Sequence, residues 1–118
     1  MKYLLPSQLD TSVRPDKPIE QFIATFEVNG YKAIRWISID KVKSSFELSL
    51  HEVFDDSSEG IDSIYNYSYV EPDDIHGKLV FESTVLSDVL EHANEQYGAN
   101  EEKYLNFGFL DELLNSKE

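Results

Sequence analysis

Residues 45–54 read SFELSLHEVF, and this stretch decides the fold class. Every second side chain is apolar, with Phe46, Leu48 and Leu50 alternating with Glu47, Ser49 and His51. A period of two places successive side chains on opposite faces of an extended chain. The stretch is therefore predicted to be a half-buried β-strand whose polar face meets water.

The residues before this strand contain a second strand and one ambiguous segment. Residues 31–39, which include Trp36 and three isoleucines, predict a strand. In residues 19–28 the apolar positions fit two periods. Ile19, Phe22, Ile23 and Phe26 form a helical stripe, whereas Phe22, Ala24, Phe26 and Val28 alternate as a strand.

The pair Asn29-Gly30 fits both structures of residues 19–28. It serves as the left-handed end of a helix or as a type I′ hairpin turn. The hairpin register places Glu27 opposite Lys32 and Phe22 opposite Ile37. We favour the helix, because the hairpin also sets Arg35 opposite Ala24 on an otherwise apolar face.

The second half of the chain predicts shorter elements. The acidic run at 55–60 is a loop, residues 64–70 are a strand with three tyrosines on one face, and residues 71–74 are a turn before a short strand at 78–82. Ser83 or Thr84 then caps a helix that ends at Gly98, with an apolar stripe formed by Val85, Leu86, Val89, Leu90, Ala93 and Tyr97.

The two ends of the chain carry weaker patterns. The opening stretch through Pro18 contains three prolines and predicts an irregular lead-in. Residues 104–107 resemble a strand, Gly108 breaks it, and a last short helix carries Leu110, Leu113 and Leu114. Together the elements predict one α+β domain over residues 1–118, with a mainly antiparallel sheet of about four or five strands and two or three helices packed on one face.

The charge of the chain is divided unevenly. Residues 1–46 hold seven Lys/Arg against five Asp/Glu, a balance of +2, and residues 47–118 hold three against eighteen, a balance of -15. The formal net charge is -13. Such a field attracts cationic partners and raises their association rate.

Composition excludes several classes of protein. The chain has no Cys, which removes disulfides and thiolate metal sites and is typical of a reducing compartment, so we expect a cytoplasmic protein. No more than three apolar residues run together, so we expect neither a signal sequence nor a membrane span. Direct nucleic-acid binding is disfavoured because phosphates require clustered Lys/Arg. We expect a monomer.

Metal and catalytic motifs are incomplete. Asp55, Ser57, Glu59 and Gly60 match the first half of a calcium loop, but Asp62 and Asn66 occupy positions that require an apolar residue and a bidentate Glu. On the predicted helix Asp88 and His92 share a face, but two ligands do not make a site. The five glycines are dispersed, and no nucleophile-elbow or zinc-protease motif is present. We expect no cofactor, no metal and no enzyme activity.

The acidic loops and the tyrosines between them are the candidate interface. Tyrosine supplies contact area at low entropic cost, and rim carboxylates set association rate and register. The alternative role for the tyrosines is to cover the core with their hydroxyls at its edge. The candidate partner-binding residues are Asp55, Asp56, Glu59, Asp62, Tyr65, Tyr67, Tyr69, Glu71, Asp73 and Asp74.

Three segments resemble small, acidic, cysteine-free immunity proteins of bacterial contact-dependent inhibition and polymorphic toxin systems. They are FELSLHEVFDD at 46–56, the tyrosine segment and acidic turn at 65–74, and YLNFGFLDEL at 104–113. The resemblance implies a stoichiometric inhibitor of a cognate toxin, often a cationic nuclease, that acts in the cytoplasm by covering the active site or a nearby exosite. The runners-up are a nucleic-acid mimic that inhibits a DNA-binding protein, and an orphan enzyme or ligand-binding module.

Overall fold

A computed structural model describes residues 3–74 and 76–115 and shows a five-stranded antiparallel sheet. The strand order is β4-β3-β2-β1-β5. The strands are β1 (Ile19–Val28), β2 (Tyr31–Val42), β3 (Ser45–Phe54), β4 (Lys78–Ser83) and β5 (Leu105–Asn106). The prediction of an α+β fold is confirmed.

The helices are short and surround the sheet. They are α1 (Leu9–Ser12), α2 (Leu86–Tyr97) and α3 (Leu110–Asn115), and 3-10 turns lie at Pro6–Gln8, Asp56–Glu59, Ile64–Asn66 and Pro72–Asp74. Within the described residues no helix is long and apolar enough to cross a membrane. The predicted helix α2 is confirmed, and Gly98 ends it in the left-handed conformation with φ 69°, but its N-cap is Val85 and not the predicted Ser83 or Thr84.

Residues 19–28 are a strand, so the preference for a helix was wrong. Asn29 and Gly30 have φ values of 52° and 85°, as a type I′ hairpin requires. Glu27 pairs with Lys32 as the hairpin register predicts, but a bulge between Phe22 and Ala24 moves Phe22 opposite Trp36.

Arg35 explains why the hairpin is tolerated. It does lie opposite Ala24, but its guanidinium forms an ion pair with Glu52 of β3 at 2.7 Å and lies 4.8 Å from the ring centroid of Phe26. A planar cation that is paired on one side and stacked on an aromatic ring needs no apolar neighbour. Arg35 therefore does not exclude the hairpin, because its ion-pair partner Glu52 lies on the third strand, β3.

The first core lies on the sheet face that packs against α1 and α2. Its buried members are Leu9, Val13, Ile19, Ile37, Ile39, Leu48, Val89, Leu90, Ala93 and Tyr104. Two of them, Leu9 and Val13, come from the opening stretch, which the sequence predicted to be irregular. That stretch contains α1, and Val13, which directly follows the helix, donates its N–H to the Leu9 carbonyl at 3.1 Å.

The second core covers the opposite face of the sheet. Its buried members are Ile34, Trp36, Val53, Ile64, Leu105, Leu110, Leu113. Since α3 contributes to this core, the helices are divided between the two faces. The polar face of β3 therefore does not meet water as predicted: His51 is buried, because the chain segments that follow β3 and β5 fold over it.

Residues 64–70 are not a strand. Ile64–Asn66 form a 3-10 turn, and the backbone of the segment that follows pairs with β3 at one isolated bridge, between Val53 and Tyr69. Asp111 of α3 accepts hydrogen bonds from the Ile64 N–H and the Ser63 hydroxyl, both at 2.7 Å. These bonds satisfy the start of the turn and compete with strand pairing.

Candidate functional site

The acidic loops meet at one end of the sheet, where β2 begins and β3 ends. The Asp55 N–H donates to the Lys32 carbonyl at 2.9 Å, and the Val70 N–H donates to the Glu52 carbonyl at 3.0 Å. The loop at 55–62 and the turn at 71–74 are thereby anchored on either side of the same strand end. We call these two segments the acidic end.

Two of the predicted carboxylates at the acidic end stabilise the loop itself. Asp55 accepts from the Ser57 hydroxyl at 2.6 Å and pairs with Lys32 at 3.3 Å. Burial raises the pKa of Asp55, but the hydrogen bonds from Ser57 and the Lys32 charge outweigh it and hold the pKa below its usual range. Asp56 accepts from both the N–H and the hydroxyl of Ser68, at 2.6 and 2.8 Å.

The other predicted carboxylates are available to a partner. Asp74 is half-buried, and the exposed ones are Glu59, Asp62, Glu71 and Asp73. Their negative charge projects into solvent, where it acts on the rate of encounter more than on the stability of the fold. The structure therefore separates loop-forming carboxylates from exposed ones, which sequence reasoning had treated as one set.

A cleft of about 560 Å³ lies beside the loop that carries Glu59. It is lined by Gly30, Tyr31, Lys32, Phe54 and the loop at 55–59. The side chain of Tyr31 is 69% exposed and meets Phe54 edge-on, with ring centroids 6.2 Å apart. Sequence reasoning assigned Tyr31 to a strand and to no site, although its position directly after the hairpin turn signals a strand end.

Tyr67 is the predicted tyrosine that lies at the acidic end. It is half-buried, and its pKa is raised first by burial and then by the nearby charges of Asp55, Asp111 and Asp56. The phenol therefore sits among carboxylates.

Tyr65 and Tyr69 direct their hydroxyls into the second core instead. The Tyr65 hydroxyl donates to Glu20 at 2.6 Å, and the Tyr69 hydroxyl lies 2.8 Å from Nδ1 of His51. Burial is the main reason that the pKa of Tyr69 rises to about 12 and that of Tyr65 rises still further. The prediction that three tyrosines share one strand face was wrong, because this segment is not a strand and its side chains do not alternate between two faces. That Tyr65 and Tyr69 contact a partner stays a prediction.

Glu20 is a buried acid that sequence reasoning did not identify. It is 1% exposed and accepts hydrogen bonds from the Tyr65 hydroxyl at 2.6 Å and the Gly108 N–H at 3.2 Å. Burial raises its pKa to about 7, against the opposing effect of these hydrogen bonds. Residues 19–28 also fit a helical period. The sequence therefore indicates that the Glu20 side chain points inward only once this segment is known to be a strand.

A second buried polar group runs from Ser38 through His51 to Tyr69. The Ser38 hydroxyl lies 2.8 Å from Nε2 of His51, a geometry also found in serine nucleophiles. The imidazole is covered on both faces, however. Trp36 stacks on one side with centroids 3.7 Å apart, and Gly77 lies on the other. Burial lowers the pKa of His51 to about 4, so the ring is neutral and serves as a core hydrogen-bonding group.

The part of the chain that the structure describes shows no group of three His, Cys, Asp or Glu side chains that would hold a metal ion. In the loop at 55–60, which partly matches a calcium site, Asp55 caps the 3-10 turn and Gly60 ends it with φ 84°. On α2, Asp88 accepts from the Ser83 hydroxyl at 3.2 Å, while His92 stacks on Phe81 at 4.2 Å. These candidates for metal ligation are thus engaged in local structure.

Comparison with protein-family models, with curated proteins and with solved structures gives no match for this chain. The physical properties of the acidic end are therefore the basis for a functional assignment.

Proposed function

We propose that this protein is an immunity protein, a stoichiometric inhibitor of a cognate bacterial toxin domain. The observation that carries the proposal is the acidic end, where four carboxylates are exposed and a cleft beside the loop at 55–59 presents the exposed ring of Tyr31. The partner is a basic domain, for which a nuclease with a cationic substrate cleft is the best fit. The carboxylates pair with its Lys/Arg side chains or take the place of substrate phosphates.

The acidic end combines the two ingredients of a tight interface. Tyr31 and Phe54 supply aromatic area next to a cleft, the kind of anchor that contributes most to binding energy. The exposed carboxylates form a rim that attracts a cationic partner before contact. Asp55 and Asp56 hold the loop in one conformation, which lowers the entropy lost on binding.

The two buried polar groups support inhibition over catalysis. Glu20 is 1% exposed and His51 is 6% exposed, so a substrate has no direct approach to either side chain. A general acid or base must come within hydrogen-bonding distance of the substrate. The exposed chemistry of the acidic end is instead electrostatic and aromatic, and it needs no turnover. We place this inhibition in the cytoplasm and expect the inhibitor to be a monomer.

A small-ligand module is the second candidate, because the cleft of about 560 Å³ falls within the size range of small-molecule sites. A cationic ligand would fit its lining. A nucleic-acid mimic remains the third, and it would use the same carboxylates against a DNA-binding protein. The three candidates differ in the partner that competes for the acidic end.

The test is neutralisation of the toxin domain encoded by the neighbouring gene. That domain should be lethal when expressed alone, and co-expression of this chain should restore growth. With purified proteins, inhibition should end sharply at one inhibitor per toxin, because at nanomolar affinity, about -12 kcal/mol, micromolar mixtures are almost fully complexed.

A toxin from an unrelated system is the specificity control, and it should still kill, because immunity depends on matched surfaces. A harmless neighbour would contradict the proposal and favour the mimic. Protection by trace amounts of this protein against a large excess of toxin would contradict it in favour of an enzyme.

A further inference from the structure

A second cleft, of about 430 Å³, has the opposite character to the acidic end. It is lined by Ser12, Arg14, Lys17, Asn106, Phe107 and Phe109. We propose that this cleft binds an acidic peptide segment of a partner protein, which presents a carboxylate to the cations and an apolar side chain to the phenylalanines. The inference does not rest on the proposed function, because the cleft lies where β1 begins, at the other end of the sheet.

The cations are held side by side by the backbone. Arg14 and Lys17 form an isolated antiparallel bridge, with N–H to carbonyl distances of 3.3 and 3.0 Å. The turn between them has Pro15 at its second position and Asp16 at its third with φ 64°, the pattern of a type II turn. Opposed residues of such a bridge project to the same side.

The two side chains bring like charges together, and the Arg14 Nε donates to the Thr11 carbonyl at 3.4 Å. Like charges that face each other across paired strands repel. Over the described residues, neither Arg14 nor Lys17 has a carboxylate oxygen within the 4.0 Å of an ion pair. In a chain of net charge -13, two adjacent cations that form no ion pair within the described residues are a local site for negative charge.

The aromatic wall of the cleft is fixed from beneath. Phe107 and Phe109 are 51% and 44% exposed, and they flank Gly108 in a turn closed by a hydrogen bond from the Phe109 N–H to the Asn106 carbonyl at 3.3 Å. The Gly108 N–H donates to buried Glu20 at 3.2 Å. Two exposed rings on an anchored turn form a preorganised apolar surface.

Charge complementarity selects a peptide as the occupant. A nucleic acid carries a dense row of phosphates, and the acidic remainder of this protein repels it. A short peptide places one or two carboxylates on the cations and avoids that repulsion. Arginine binds a carboxylate through two parallel hydrogen bonds, and the phenylalanines bury an adjacent apolar side chain.

The experiment titrates the full-length, isotope-labelled protein with a terminally blocked tetrapeptide, Glu-Leu-Glu-Phe, and follows amide chemical shifts by NMR. We expect shifts concentrated at Arg14, Lys17 and residues 106–109. The matched peptide Gln-Leu-Gln-Phe should bind about fivefold more weakly, the effect of about 1 kcal/mol expected when exposed charge pairs are lost.

Three variants make the test specific. Arg14→Gln and Lys17→Gln should each weaken binding of the acidic peptide about threefold or more. Lys78→Gln, which removes the same charge beside Glu71 and Asp74, should leave binding unchanged. Equal binding of both peptides, shifts elsewhere on the surface, or no shifts at millimolar peptide would overturn the proposal. So would an oligonucleotide that shifts these amides when the peptide does not. Neutralisation of a toxin is measured separately and is unaffected by these outcomes.

Discussion

Glu20 and His51 lie on the same buried face of the sheet, and burial moves their pKa values in opposite directions. Ser38 of β2 lies between them: it pairs with Glu20 of β1, and its hydroxyl lies 2.8 Å from Nε2 of His51 on β3. Desolvation penalises the charged form of each group. It therefore raises the pKa of the acid to about 7 and lowers that of the base to about 4.

These shifts predict opposite pH dependences of stability that mask each other. Between pH 4.5 and about 7 folded Glu20 keeps a proton that the unfolded chain has lost, so its contribution falls as pH rises. Between pH 6.5 and about 4, His51 is protonated in the unfolded chain but not in the folded protein. Its contribution to the free energy of unfolding therefore falls as pH decreases. Each amounts to about 3 kcal/mol.

Two substitutions separate the contributions. In His51→Gln the free energy of unfolding should fall as pH rises from 4.5 to 7, and in Glu20→Gln it should rise from pH 4 to 6.5. Urea unfolding at several pH values measures both slopes, and the other titrating groups are common to the two variants. Parallel curves would show that burial does not shift these groups as described.

Gly77 should tolerate no side chain. An added Cβ would lie 2.4 Å from Cε1 of His51, and the residue has φ +87°. Gly77→Ala should lower the free energy of unfolding by about 2 to 4 kcal/mol through overpacking and left-handed strain. Gly60→Ala is the control, because its φ is +84° and open space surrounds it, so it should lose only about 1 kcal/mol. Equal losses would mean that contact with His51 is unimportant.

The exposed carboxylates should control the rate of toxin binding. Glu59→Gln combined with Asp73→Asn should slow association several-fold at low salt and flatten its salt dependence, with stability unchanged within about 0.5 kcal/mol. Glu91→Gln with Glu95→Gln on the exposed side of α2 removes the same charge away from the acidic end. Stopped-flow association measures the effect, and an equal slowing by both pairs would assign it to net charge alone.

Tyr67 and Tyr65 should differ in what their substitution costs. Tyr67→Ala should weaken toxin binding by about 2 kcal/mol, because its ring lies among the carboxylates of the acidic end. Tyr65→Phe keeps the ring and should lower stability by about 1 to 2 kcal/mol, since it removes the hydrogen bond to Glu20. Calorimetric titration and urea unfolding of each variant check both statements. Normal affinity of folded Tyr67→Ala would remove this residue from the interface.

Tyr104 presents a buried hydroxyl that finds no hydrogen-bond partner within the described part of the chain. The residue is 0% exposed, and the burial of that group is a cost to the fold. Tyr104→Phe removes the hydroxyl and keeps the ring in the first core. The free energy of unfolding should rise by about 1 kcal/mol, which thermal and urea unfolding will measure. A decrease would reveal a partner for the hydroxyl.

The elements that depend on local periodicity could be predicted from the sequence. The strand at 45–54, the helix that Gly98 ends, and the strand, break and helix of the tail were all predicted near their observed positions. The alternation of a strand and the apolar stripe of a helix depend on residues close together in sequence, so both can be recognised without knowing the fold. The acidic loops could also be recognised locally, from short runs of acidic and turn-forming residues.

Which polar groups are buried and which are exposed could not be predicted without the tertiary structure. Tyr65 and Glu20 are 45 residues apart, and Gly108 and Glu20 are 88 apart, so no local period links them. The same holds for residues 19–28, whose two periods were equally good until pairing with β2 selected the strand. Burial is a property of whatever covers a side chain, and here the covering segments come from distant parts of the chain and pack only once the sheet has formed.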